Sequence, residues 1–247
     1  MTRRQRPLDA HRPVEITTGF HRNAEGSVLY KAGGTVELCT ASVDDQVPKW
    51  MLEAGSGWLT AEYQMHPRAN PVRRETREGR GRAPKGRTHE IQRLVGRSLR
   101  AALDLDALGP RTITVDCDVL EADGGTRTAA ITAGYVATAL ALHNLGLANV
   151  LRDQIAAISI GHVDGEILVD LDYSEDSTAR VDMNVVATRD GHLVEVQSTA
   201  EGVPITRAEF DRMLDAALRS IKSLCETQEQ ALRQAGADLG VLMKRRT

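Results

Sequence analysis

Between Arg111 and Leu120 the chain alternates without a break. Ile113, Val115, Cys117 and Val119 fall on one side, and Thr112, Thr114, Asp116 and Asp118 on the other. A period of two predicts a half-buried strand. Asp123-Gly124-Gly125-Thr126-Arg127-Thr128 follows, and then a run rich in Ala, Thr and Gly that reaches about Asn144. A helix that is small and apolar all round must be covered on every side. Strand and helix together therefore demand layers of sheet and helix. The nearly uncharged part of the run, from about Ala129 to Leu142, is too short to span a bilayer. With 41% hydrophobic and 26% charged residues, the chain is excluded from the collagen-like, coiled-coil and disordered classes.

The remaining elements are read around this pair. Val14–Thr18, Gly26–Lys31, Thr35–Ser42 and Gly57–Met65 are short β-branched and apolar runs between Gly, Asp and Pro. A helix is predicted from about Thr88, with Ile91, Leu94, Val95, Leu99 and Ala102 on one stripe and Gly109-Pro110 closing the segment. Asp164-Gly165 and Asp190-Gly191 sit between apolar runs and predict two hairpins. Thr206 and Glu209 form a capping box that opens a long amphipathic helix, and after Gly236 a basic tail (237–247) is expected to fray. The fold class is α/β, or α+β with a mixed sheet and covering helices, in a single domain over 1–247. No residue-level repeat supports a duplication of the two halves.

Charge is distributed unevenly. The net charge is -3, yet Arg68 to Arg87 carries seven Arg and one Lys against Glu75 and Glu78. The segment from Pro67 to Gly86 also holds three Pro and three Gly, so it reads as a long exposed loop that meets an anion. Aromatics are only 3%, which excludes a broad base-stacking platform. The N-terminus has no apolar h-region, and Cys39, Cys117 and Cys225 have no C-x-x-C partner. The expected location is the cytoplasm, with the cysteines as buried thiols.

Three constellations carry chemistry. At Gly124-Gly125-Thr126-Arg127 a sharp turn opens a helix, whose free N–H groups favour an anion. Thr126 adds a hydroxyl and Arg127 a guanidinium fork. The alternative is a plain N-capped turn with Arg127 solvated. Arg87 stands at a helix entry, where a cation needs an anion or exposure. Asp170, Asp172, Glu175, Asp176 and Asp182 form an acidic group in which Asp176 and Asp182 flank a polar turn and could share a Mg²⁺. The alternative there is a solvated acidic edge. No histidine pair has metal-ligand spacing, and no G-x-S-x-G elbow is present.

The runs L-C-T-A-S, G-W-L-T-A-E-Y, G-R-T-H-E-I-Q-R-L, D-C-D-V-L-E-A-D-G-G-T-R-T-A and D-M-N-V-V-A-T follow in order. From about Arg12 to Glu226 the chain closely resembles the ribonuclease PH family of phosphate-dependent 3′ exoribonucleases, which trim tRNA precursors. The resemblance implies a fold related to domain 2 of ribosomal protein S5. It implies inorganic phosphate on Arg87, Gly125, Thr126 and Arg127, and catalytic Asp176 and Asp182 with Mg²⁺. It implies RNA contacts from Arg68, Arg73, Arg74 and Arg77, and a homohexamer built as a trimer of dimers. The chain departs from the family pattern at His66, Ser198 and Ile205, where Leu, Gly and Phe are usual. Competing readings are a non-catalytic RNA-binding ring subunit and a metal-dependent hydrolytic nuclease. The five residues Arg87, Thr126, Arg127, Asp176 and Asp182 argue against the first, and a dedicated phosphate turn against the second.

Overall fold

The structure is a computed structural model that describes residues 6–70, 72, 74 and 86–244. Val14–Thr18 (β1), Gly26–Ala32 (β2), Thr35–Asp44 (β3), Trp58–Met65 (β4) and Thr112–Glu121 (β5) form one sheet in the order β1-β2-β3-β5-β4. Its pairs are antiparallel except β4 with β5. That parallel pair needs a crossover, which the helix Gly86–Ala101 (α1) and the short helix Leu105–Leu108 (α2) supply. Ile155–Val163 (β6), Glu166–Val169 (β7), Val181–Thr188 (β8) and Leu193–Ala200 (β9) form a second, antiparallel sheet in the order β7-β6-β8-β9. The expected hairpins are present, and Asp164 and Gly165 both take positive φ, the turn geometry that matches strand twist.

The small-residue run is the helix Thr126–Asn144 (α3), buried continuously from Thr128 to Leu142. It packs on β2, β3 and β5 and also on β6, so both sheets share it. Small residues permit this closeness: a Cβ at Gly26 would stand 1.9 Å from the Ala137 carbonyl oxygen. Thr132 fixes the other contact, its hydroxyl accepting from Ala157 N at 3.1 Å. The helix Arg207–Gln234 (α5) covers β6 and β8 and opens with the expected Thr206–Glu209 capping box. No helix among the described residues is long and apolar enough to cross a membrane.

The C-terminal segment differs from expectation. The chain does not fray after Gly236. Leu239–Leu242 (α6) forms under an Asp238 cap, Leu242 is buried, and Met243 bridges to Leu151. Lys244 then reaches Asp104, an acid only 3% exposed, which would otherwise be left with the more distant Arg152 at 3.7 Å. Residues 245–247 lie outside the described residues. In β3 the buried face is Thr35, Glu37, Cys39 and Ala41, while Val36 and Leu38 are half-exposed. Pairing with Cys117 on β5 sets this register, at the cost of burying Glu37. Burial, helped by the charge of Asp118, pushes the Glu37 carboxyl well above the usual range.

The two halves are joined by a buried ion-pair network from the start of the chain. Arg12 donates to Asp170 from its backbone N, Nε and Nη2 at 2.7, 2.9 and 2.7 Å. Its Nη1 donates to the Asp123 carbonyl at 2.6 Å. Arg6 adds Nη1 to Asp170 Oδ2 at 3.1 Å. Asp170 takes φ +59°, a conformation that Asp tolerates better than most residues. Burial alone would raise the Asp170 carboxyl, but the hydrogen bonds and charge of Arg12 outweigh it and hold it below the ordinary range. Asp170→Asn would leave buried Arg12 and Arg6 only the more distant Asp123 and Glu175, each at 3.7 Å, and is expected to cost about 3–5 kcal/mol. A folded-state value below the unfolded one contributes stability that is present above the unfolded pKa and lost as pH falls through the folded one. Urea titrations should therefore show the full difference at neutral pH and a shrinking one in acid.

Candidate active site

Strand β5 ends where the two sheets meet, and the turn that follows is shaped by sterics. Gly124 has φ +76°, and a Cβ there would lie 2.2 Å from the Leu171 carbonyl oxygen. Only glycine allows the turn to press against the segment leading into Tyr173–Asp176 (α4). That segment is locked from its own side. Asp172 caps α4, accepting from Ser174 N and Glu175 N at 2.9 and 3.0 Å, and Asp123 Oδ1 accepts from Tyr173 N at 3.3 Å. Gly125, at φ +67°, is the N-cap of α3 and has no side chain to satisfy the first turn. The helix therefore presents its amide groups to the cleft with no acid in the first turn.

The cleft has a volume of about 450 Å³. Arg87, Gly125, Thr126, Arg127, Asp176 and Asp182 all line it. Arg87 enters on the first turn of α1, exposed and without an ion-pair partner among the described residues. Arg127 is held from behind, donating from Nη1 to Gln197 Oε1 at 2.9 Å, with Glu90 at 3.6 Å. Gln197 donates in turn to Glu90 at 3.2 Å. Thr126 is oriented by the buried Tyr63, whose hydroxyl lies 2.9 Å from Thr126 Oγ1. Burial raises the Tyr63 hydroxyl far above its ordinary value, so it stays a neutral hydrogen-bonding group.

Asp176 ends α4, and Asp182 begins the cleft-facing side of β8. Asp182 accepts from Asn184 Nδ2 at 3.4 Å, two residues along the same strand face. Burial raises the Asp176 carboxyl, opposed by Arg127 and Arg87. Burial also raises Asp182, and the charge of Asp176 raises it further, against the two arginines and Asn184. Two desolvated carboxylates that repel one another are a donor set suited to a hard, oxygen-preferring cation with open positions left for water or substrate. The other three acids of the same stretch serve the fold: Asp170 pairs with arginine, Asp172 caps α4, and Glu175 completes that capping box.

Of the residues expected to meet RNA, Arg68 and Arg74 are exposed, and Arg73 and Arg77 lie outside the described residues. The start of that segment is anchored, with Ala69 buried and accepting from Ala122 N at 3.0 Å, and Asn70 and Val72 reach the cleft. Ser198 is an exposed residue paired with Met183 in β9 and asks for no glycine backbone. Ile205 packs against the core under α5, and His66 Nδ1 accepts from Arg68 N. Sequence reading missed Tyr63, Asn184, Gln197 and Tyr173 as cleft-forming or orienting residues. Asn184 alone left a signal, its two-residue spacing from Asp182 on a strand. A second depression, about 560 Å³, lies on the open face of the first sheet, but Glu62, Asp116 and Asp118 line it and, among the described residues, no Arg or Lys does.

A cleft that sets two arginines and an uncapped helix start beside paired carboxylates suits the class of enzymes that act on phosphate groups. Comparison with known proteins gives the family. The model for "3' exoribonuclease family, domain 1" matches residues 10–146, and that for domain 2 matches residues 153–220. Ribonuclease PH of Mycobacterium sp. (strain KMS) is 54% identical over 240 residues, covering 94% of this chain and 92% of that protein. Ribonuclease PH of Mycobacterium tuberculosis (strain ATCC 25177 / H37Ra) is 56% identical over 227 residues, covering 90% and 87%. In fold, rice Rrp46 is similar at a TM-score of 0.75 and 16% identity over 93% of this chain and 99% of that one. The Archaeoglobus fulgidus exosome with RNA bound to the active site gives 0.75 and 24% over 90% of each. The chain belongs to the 3′ exoribonuclease family, and it is a phosphate-dependent 3′→5′ exoribonuclease.

Raised carboxylates make a testable trade. A folded-state pKa above the unfolded one means that ionisation opposes folding, so stability falls as pH rises through that window. At pH 7 Asp182→Asn should raise the melting temperature in metal-free buffer, by about 2 °C, and nearly abolish turnover with Mg²⁺ present. Asp176→Asn should change both in the same directions. Calorimetry and a single-turnover assay, run in parallel, decide the matter. A less stable Asp182→Asn protein would contradict the electrostatic account of the cleft.

Proposed function

We propose that the cleft performs phosphorolysis of the 3′ ends of tRNA precursors. Inorganic phosphate lies on the Arg87 and Arg127 guanidinium groups, the Thr126 hydroxyl and the amides at Gly125–Thr126. A phosphate oxygen attacks the phosphorus of the 3′-terminal diester. The new P–O bond forms as the bond to the 3′ oxygen of the preceding nucleotide breaks. That oxygen takes a proton, and the terminal nucleotide leaves as a nucleoside 5′-diphosphate. One phosphoanhydride replaces one phosphodiester, so the reaction is reversible, and nucleoside diphosphates extend an RNA end. The observation that carries this reading is the convergence of both arginines and the uncapped start of α3 beside Asp176 and Asp182 in one cleft.

Three anionic groups meet in this step, so preorganised positive charge is the main catalytic means. Arg127 is fixed by Gln197 and Glu90, which limits its reorganisation. Asp176 and Asp182 would hold Mg²⁺, which supplies further charge stabilisation at the phosphates when bound. The whole chain acts as one unit, because the cleft draws residues from both sheets, and its place of work is the cytoplasm, where RNA precursors and inorganic phosphate are found. Arg68, Arg73, Arg74 and Arg77 hold the single-stranded 3′ end by its phosphates, with little base readout. In a homohexamer, a trimer of dimers, such segments from several subunits share an entrance and raise its positive potential.

Two experiments test this. Arg87→Ala and Arg127→Ala each remove a charge-assisted contact, so the KM for phosphate should rise about 10- to 150-fold with the fold intact. An unchanged phosphate dependence in both variants refutes the assignment. Replacing Arg73, Arg74 and Arg77 together with Ala should weaken binding of a tRNA precursor. It should also flatten the log–log salt slope by about 0.7 for each lost contact. Light scattering on the same preparations reports the oligomer, and a monomer at micromolar concentration removes the shared entrance.

A further inference from the structure

Away from the cleft, Glu37, Cys39 and Cys117 bring a carboxylate oxygen and two sulfurs within 4.8 Å of one another, all three residues buried. We propose that these three residues form a structural site for a borderline divalent cation of the Zn²⁺ type, clamping β3 to β5.

The spacing fits the chemistry. Two thiolates about 2.3 Å from a tetrahedral zinc lie roughly 3.7–3.8 Å apart. The Cys39 and Cys117 sulfurs are 3.6 Å apart. A disulfide would need them at about 2.05 Å, would consume an oxidant, and would leave Glu37 no better satisfied. Glu37 is 0% exposed, and neither carboxylate oxygen has a hydrogen-bond partner among the described residues. A buried carboxyl without a partner is a costly arrangement that native proteins usually relieve. A cation held by one or both of its oxygens, together with the two sulfurs, relieves it.

The backbone is shaped around this point. Glu37 and Cys39 lie two residues apart on one strand face, and Cys117 stands directly opposite Cys39. Beside Glu37 the pairing jumps from Val36–Glu121 to Glu37–Val119, which leaves Leu120 as an extra residue in β5. Such bulges are common where a strand re-aims side chains at a site. The mixed sulfur and oxygen donor set favours zinc over Mg²⁺, whereas the all-oxygen pair Asp176 and Asp182 favours the reverse. The two sites are therefore chemically distinct.

The clamp lies under the start of α3. Cys117 Sγ is 3.9 Å from the Ala130 carbonyl oxygen. Glu37 acts electrostatically on Tyr63, whose hydroxyl meets Thr126. A cation here would stiffen the floor on which Thr126 is placed, with no contact to RNA or phosphate.

The test uses the full chain, purified reduced and without chelator. Elemental analysis should find one zinc per chain. Replacement by Co²⁺ should give the near-ultraviolet sulfur-to-cobalt charge-transfer band and the intense visible bands of a tetrahedral thiolate site. Asp176→Asn/Asp182→Asn and Cys225→Ser proteins should keep those bands. Glu37→Val keeps the strand face apolar and its fold checkable by circular dichroism. It should lose at least about tenfold in Zn²⁺ affinity, since even outer-shell changes cost about that much. Its melting temperature should no longer respond to added Zn²⁺. The proposal is overturned if wild-type protein gives no thiolate band with Co²⁺, or if Glu37→Val binds Zn²⁺ as tightly as wild type. It is also overturned if Cys39→Ser/Cys117→Ser, folded by circular dichroism, retains the metal.

Discussion

The pairing of Arg12 with Asp170 is the interaction on which the rest of the molecule depends. Arg12 precedes β1, Asp170 follows β7, and the same guanidinium holds the Asp123 carbonyl at the end of β5. One side chain thus ties both ends of the first sheet's β1-to-β5 path to the second sheet, a junction that no strand pairing makes. Burying these charges is tolerable only because every oxygen of Asp170 finds a donor. With that point fixed, the glycine turn presses on Leu171 and Asp172, and the orientation of α4 follows. The placement of Asp176 is in this sense decided at the opposite end of the chain.

The cleft itself is built against its own stability. Asp176 and Asp182 are half-desolvated and repel each other, and Arg87 and the start of α3 present positive charge that no acid in their own first turns balances. Such an arrangement suits two kinds of ligand, anions at the arginines and a cation at the carboxylates. Rigidity comes from neighbours, Gln197 and Glu90 behind Arg127, Tyr63 behind Thr126.

Much of this was legible in the sequence because it depends on local rules. Alternation in β5, the two Asp-Gly hairpins and the Thr206 capping box are decided by residues within a few positions of each other. The six-residue motif after β5 likewise marked the sharp turn that opens α3. What stayed hidden depends on distant partners. The acids between Asp164 and Asp182 look alike in sequence, and only the arrival of Arg6 and Arg12 separates structural Asp170 from cleft-lining Asp176. In β3 the local pattern assigns no inner face, and it is the register with β5 that turns Glu37 and Cys39 inward and leaves Val36 and Leu38 half-exposed. The C-terminal segment looked like a basic tail because nothing near it reveals that Asp104 lies buried and in need of a cation.

That last contact bears on the order in which the protein is made. Asp104 is synthesised long before Met243 and Lys244, and Arg12 long before Asp170. Each early residue is a charge destined for the interior, and each must wait in water for a partner that emerges later. The start of the chain therefore gains its buried partner only when the segment after β7 has emerged, and the α1–α2 corner gains Lys244 only at the end of synthesis. A ribosome-bound chain that stops short of Lys244 should hold the glycine turn in place while the α1–α2 corner is still without that cation.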